Sequence, residues 1–169
     1  MKKPIFCSLL LSLFLWISGC QRDDLCGEAN PTTPRLIITF NDAANPEERK
    51  DATSLKVVGE GFDNAVPGLD RVTTDSIAIP LRSLSQETSY IFILNSEDND
   101  QGVETGNRDT LRFNYSTKEV FLSRACGVVA NFEDLGESTI TDADNWIQSV
   151  LILSTLVTNE NETHVQILH

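Results

Sequence analysis

Cysteine brings the most versatile chemistry to this chain, and its four copies stand at positions 7, 20, 26 and 126. A thiolate can take a lipid, enter a disulfide or bind a metal. Cys20 follows the small pair Ser18-Gly19, whereas neither Cys26 nor Cys126 has a histidine or a CxxC partner close by. The two histidines are His164 and His169, and His164 falls in an expected strand where a surface or edge role is the default. No Gly-x-Ser-x-Gly, His-Glu-x-x-His or Walker-type loop occurs. The spacings that assemble a nucleophile, a zinc-bound water or a phosphate cradle are therefore missing. Among 25 acidic residues some carboxylate pairing is unavoidable, and it does not by itself make a glycosidase. The chain is expected to be non-catalytic. Residues 96–104 (SEDNDQGVE) offer Asp98, Asp100 and Glu104 as oxygen ligands for calcium. Gly102 is out of register with the sixth-position glycine such a loop needs, so a solvated hairpin tip is expected instead. Asp134, Glu137, Asp142 and Asp144 form a second acidic cluster of the same standing. No metal or other cofactor is expected.

Cys20 takes its meaning from what precedes it. Lys2 and Lys3 are followed by a Leu-rich apolar run over 4–17, then by Ser18-Gly19. A positive start, a short apolar stretch and a small-residue cut site read as a secretory signal. The run falls short of the roughly 20 residues a membrane span needs. Ile17-Ser18-Gly19-Cys20 resembles the bacterial lipobox. That resemblance implies cleavage before Cys20, a thioether-linked diacylglycerol on its sulfur and, in many Gram-negative bacteria, a third acyl chain on the new amine. Each buried CH2 contributes about 0.8 kcal/mol, so two or three chains anchor stably where one would not. The expected division is a signal peptide over 1–19, a lipidated tether and spacer over 20–34, and one folded domain over 35–169. No later apolar run approaches a span.

Cleavage removes nineteen residues with two lysines and no acid, leaving 150 residues and taking the formal charge from −12 to −14. A chain of that length suits one domain with a real core. Its acidity argues against nucleic acid and anionic phospholipid, which call for Lys/Arg clusters. Cys7 leaves with the signal and Cys20 takes the lipid, so Cys26 and Cys126 remain. In an exported protein such a pair reads as a disulfide, with a two-cysteine metal site as the weaker alternative. Closing a loop of roughly 100 residues stabilises by up to about 4.7 kcal/mol in the chain-entropy treatment.

Strands are expected at 35–40 (RLIITF), 54–60 and 75–81, the last ending near Pro80. Residues 88–95 and 109–115 flank a loop of Asp, Asn and Gly as a long hairpin. Residues 118–123 and 126–133 read as one interrupted strand or two short ones, and 163–169 pairs back across 159–161. Residues 41–51 read as a loop or one helical turn. In 146–157, Asp144 could cap a helix, but the density of Ile147, Val150, Ile152, Thr155 and Val157 favours a strand. About eight strands between turn signals point to an all-β, antiparallel two-sheet sandwich, Ig-like in general form. Trp146, Tyr90, Tyr115 and most of the phenylalanines sit in apolar strand patterns and are expected in the core. Phe62, next to Gly61 in a loop, is the one ring expected on the surface.

Several stretches together resemble an uncharacterised family of small Bacteroidota lipoproteins, a domain of unknown function. They are Asp23-Asp24-Leu25-Cys26, Thr33-Pro34-Arg35-Leu36-Ile37-Ile38, Ile79-Pro80-Leu81, Ala125-Cys126-Gly127, Asp144-Asn145-Trp146-Ile147 and Glu162-Thr163-His164-Val165. The resemblance implies one domain, the Cys26–Cys126 pair and an outer-membrane setting, but no activity. In that setting Gln21-Arg22-Asp23-Asp24 resembles the basic-then-acidic signal that carries lipoproteins to the cell surface, with Arg22 where lysine is usual. Surface display is therefore favoured over a periplasmic face. Ser76 and Thr110 resemble the Asp-Ser/Thr-apolar sites of exported O-glycoproteins. The expected role is a membrane-anchored module that binds a protein partner or serves as an accessory subunit in the envelope. The alternative is a glycan- or calcium-binding sandwich.

Overall fold

The computed structural model describes Cys26, residues 31–140 and residues 144–169. Cys20, Gln21, Arg22, Asp23, Asp24 and Asp142 lie outside the described residues. The chain falls into two units, one of residues 1–30 with 121–128, the other of residues 31–120 with 129–169. In the first, Cys26 and Cys126 are joined in a disulfide with their Cα atoms 4.8 Å apart. Cys126 N–H also donates to Ser123 Oγ at 3.0 Å, holding the turn that carries it.

The second unit contains the sandwich. The strands in chain order are β1 (Leu36–Asn41), β2 (Ala52–Gly59), β3 (Val72–Thr74), β4 (Ser76–Ile79), β5 (Glu87–Leu94), β6 (Asn107–Ser123), β7 (Gly127–Ile140), β8 (Ser149–Ile152) and β9 (Val165–Leu168), of which residues 121–123 of β6 and 127–128 of β7 fall in the first unit. The described residues include no helix. One sheet has the order β4-β1-β9-β8, the other β3-β2-β5-β6-β7. The period of two that marks β6 in the sequence is the period that buries it, whereas β1 is buried on both faces. Leu36, Ile38 and Phe40 of β1 are fully buried, as are Phe92 of β5 and Leu111 and Phe113 of β6. Removing each such side chain from water contributes about 1.5–3 kcal/mol.

The hairpin expected across the Asp/Asn/Gly loop is β5–β6, paired antiparallel from Glu87↔Asn114 to Leu94↔Asn107. The expectation of a wholly antiparallel sandwich needs correction, because β1 and β9 are parallel, from Ile38↔Val165 to Asn41↔Leu168. Parallel neighbours need a long crossover, and here the connection runs through most of the domain. The stretches at 118–123 and, Cys126 apart, 126–133 are parts of β6 and β7, which run for 17 and 14 residues. The run 146–157 is a strand only over Ser149–Ile152. Its start is held elsewhere, by Ile147 N–H on Asp109 Oδ2 at 2.7 Å and Trp146 Nε1–H on Phe92 O at 3.3 Å. Its end leaves the first sheet: Val157 and Phe132 of β7 exchange two backbone hydrogen bonds. β3, with three residues, was too short to show as a pattern.

His164 also departs from expectation, being fully buried rather than at a surface. Ile37 N–H donates to its Nδ1 at 3.0 Å, and His164 N–H donates to Ile37 O. Nδ1 must therefore be the acceptor, which makes the ring neutral with its proton on Nε2. Nε2 finds no partner at hydrogen-bond geometry among the described residues. Burial lowers the pKa below its ordinary 6.5; the charges of Glu162 and Glu160 and the Asn159 carbonyl oppose this with less effect. His169, against Phe40 and Trp146, is likewise lowered by burial. A histidine held neutral by the fold binds protons more readily when unfolded. Stability is then complete above pH 6.5 and falls as the pH drops below it. Thermal melts should show this loss between pH 7.5 and 5.5, and His164→Asn, which keeps an acceptor for Ile37, should reduce it. An unchanged pH slope in that variant would count against the neutral, buried ring.

Candidate binding groove

Gly59 ends β2, and Gly61, with φ of +84°, turns the chain so that Phe62 N–H closes back on Gly59 O at 2.9 Å. Phe62 thereby lies over the strand it has just left. A Cβ on Gly59 would stand 3.0 Å from a Phe62 ring carbon, so the absence of a side chain there is what admits the ring. The ring stays 65 % exposed. Residues 64–67 return along β2, with Val66 N–H on Val57 O at 2.8 Å. Opposite them, Pro80 and Leu81 leave β4 and Tyr90 stands on β5. Between these walls is a groove of about 380 Å³. Arg82 overhangs it, its guanidinium carbon 5.9 Å from the Phe62 centroid in a cation–π contact.

The hydroxyl groups around this groove are already engaged. Tyr90 O–H donates to Pro80 O at 2.5 Å, and burial above all pushes its pKa up to about 12. Thr88 Oγ1 accepts from Arg82 N–H at 3.0 Å and shares a hydrogen bond with Tyr115 O–H. Tyr115 O–H also reaches Arg82 O at 2.9 Å. Ser89 Oγ accepts from Arg112 Nε–H at 3.3 Å. The lining residues include no Cys, His, Asp, Glu or Lys. Such a groove offers apolar surface, the Phe62 ring face, the Asn64 amide and one guanidinium.

The acidic loop has a different character. Asp98 pairs with Arg71 at 2.5 Å, and Glu104 pairs with Lys56 at 3.1 Å and Arg71 at 3.5 Å. Arg71 adopts φ of +59°, uncommon for a long side chain, and its Nε–H also meets Ser96 Oγ at 3.2 Å. Gly106 passes so close to Ile93, Leu94 and Ser96 that a Cβ would clash with all three. Burial alone would raise the Glu104 pKa. Hydrogen bonds from Lys56, Ser96 Oγ and Gly106 N–H, with the Lys56 charge, pull it down to about 2 instead. The oxygens a calcium ion would need are thus spent on the chain's own cations, while Asp100 is exposed at the tip. No group of three or more metal-binding side chains forms among the described residues. Glu104 contributes stability that is present above pH 4.5 and lost as the pH falls toward 2. Acid melts of Glu104→Gln should lack that lower limb.

Phe62 is at the surface, where the sequence placed it, but it is not the one exposed ring: Phe121 on β6 is 67 % exposed as well. Arg82, Tyr90 and Gly59 were missed, since the walls come from segments far apart in the chain; the Gly-x-Gly-Phe spacing at 59–62 is the only local sign. Ser76 is exposed and Thr110 is half-buried in β6. A second hollow, of about 820 Å³, is polar and wide open beneath Leu84. Its one aromatic, Tyr115, is buried in an edge-to-face contact with Phe132 at 5.0 Å. Neither curated proteins nor solved structures give a match to this chain. The family of unknown function (DUF6452) matches residues 54–169, from β2 to the last residue, leaving β1 outside the match. The chain therefore belongs to this family of unknown function.

Proposed function

We propose that this chain is a non-catalytic lipoprotein of the bacterial outer membrane, tethered through Cys20, that docks a protein partner in the Phe62 groove. The observation that carries this reading is the groove's combination of an exposed ring with engaged polar neighbours. A sugar presents many hydroxyls and would meet the Thr88, Ser89 and Tyr90 hydroxyls already bonded, with the Arg82 guanidinium and the Asn64 amide as the open polar groups. An apolar side chain of an extended partner segment asks for none. The spent acids of the 96–104 loop weigh in the same direction against a calcium module. The Ile17-Ser18-Gly19-Cys20 pattern supports the anchor, and Gln21-Arg22-Asp23-Asp24 supports display on the cell surface.

The test sets peptides against sugars. The full-length protein in detergent should enrich apolar-centred peptides from a displayed library and ignore a glycan array. Phe62→Ala should abolish the enrichment with its melting temperature unchanged. Glycan binding, or peptide enrichment that survives Phe62→Ala, would refute the reading. Adding millimolar calcium should leave the melting temperature where it was. A non-penetrating protease should remove the protein from intact cells, and alanine at Arg22, Asp23 and Asp24 should protect it.

A further inference from the structure

We propose that the groove selects partner segments in which an apolar residue is followed by a carboxylate, with Arg82 as the residue that reads the charge. The inference rests on the groove being a peptide-docking site. Among the described residues that line it, Arg82 is the only charged one. The chain carries a formal charge of −12, and Arg35, Lys56 and Arg71 are each tied to one of its own carboxylates. Arg82 pairs with no carboxylate among the described residues. Its Nη2–H makes one long hydrogen bond to the Glu60 carbonyl, at 3.4 Å. A guanidinium has five N–H donors, so most of the fork is available to a planar anion.

The fork is also held in place. Thr88 Oγ1 takes the Arg82 N–H, Tyr115 O–H takes its C=O, and the Phe62 ring supports its head. Both backbone polar groups of Arg82 are thus clamped by side chains of β5 and β6. Less freedom is then lost when the guanidinium meets a carboxylate than for an unconstrained arginine. Asp75 and Glu87, the acids nearest to Arg82 in sequence, do not line the groove, nor do Glu60 and Asp63 beside Phe62. An apolar side chain in the groove leaves its neighbour at the rim, where Arg82 stands. That arrangement fits an acidic, apolar segment of a protein.

Three peptides, identical except that Phe-Leu is followed by Glu, Gln or Lys, decide the matter by titration into the full-length protein in detergent. The Glu peptide should bind about two- to fivefold tighter than the Gln peptide, as a rim ion pair allows, and the Lys peptide weakest. The preference should vanish near 1 M salt, where charges are screened within about 3 Å. Arg82→Gln should bring the Glu and Gln peptides to equal affinity, and Arg82→Lys should restore part of the preference. Equal binding of all three peptides to the wild type, a preference for Lys, or a preference that survives Arg82→Gln would overturn the inference and leave the docking site standing. Failure of every peptide to bind, or binding indifferent to Phe62→Ala, would overturn both.

Discussion

Phe132→Ala is expected to lower the stability of the sandwich by about 3–5 kcal/mol, while Phe62→Ala leaves it within about 0.5 kcal/mol. Phe132 is fully buried on β7 and meets Tyr115 edge-to-face at 5.0 Å. Its backbone exchanges two hydrogen bonds with Val157, which fasten the segment after β8 to β7. Truncation removes the transfer energy of the ring and leaves a cavity between Tyr115 and the sheet interior. Phe132→Leu should cost less, because it refills part of that volume. Urea unfolding measures both. If Phe132→Ala is as benign as Phe62→Ala, the packing described for this face is wrong.

Loss of the Cys26–Cys126 disulfide should cost about 2–5 kcal/mol. The bond closes a loop over a sequence separation of 100 residues. A loop of that length removes much freedom from the unfolded chain, the main source of the stabilisation. The double variant Cys26→Ser/Cys126→Ser should therefore unfold at lower urea with a larger exposed surface, seen as a steeper m value. Mass spectrometry of the untreated protein under non-reducing conditions should find neither thiol open to alkylation. Two alkylated thiols would contradict the bond, and unaltered stability in the double variant would contradict its role.

The parts of the fold legible in the sequence are those set by local pattern. Leu36-Ile37-Ile38-Thr39-Phe40 is apolar and β-branched, and β1 follows it almost residue for residue. The β5–β6 hairpin was legible because two apolar runs flank one polar loop. Partner choice was not legible: nothing in 36–41 or 165–168 states that the two strands lie side by side in parallel. Residues 146–157 misled because apolar β-branched residues serve equally as strand, as buried anchors and as a crossing between sheets. Trp146 and Ile147 are anchors, and Val157 belongs to the crossing.

The site divides the same way. Phe62 could be placed at the surface because Gly59, Gly61, Pro67 and Gly68 break the strand pattern around it. Arg82 could not, since its position depends on Thr88 and Tyr115 from two other strands. The acids at 98 and 104 looked available in sequence. Their partners Lys56 and Arg71 stand some 27 to 48 residues earlier, so only the folded chain brings them together. His164 was misplaced for a similar reason. Its burial depends on Ile37, which lies 127 residues away.

Docking at the Phe62 groove is tested most directly by placing a photoreactive ring at that position in living cells. Benzoylphenylalanine in place of Phe62 should, on irradiation, give one discrete adduct whose bond maps to an apolar residue beside Asp or Glu in an envelope protein. The adduct should weaken with Arg82→Gln, and the same probe in place of Leu84, 95 % exposed on the other hollow, should not form it. No adduct from position 62, or the same adducts from positions 62 and 84, would contradict the groove as the place where this protein meets its partner.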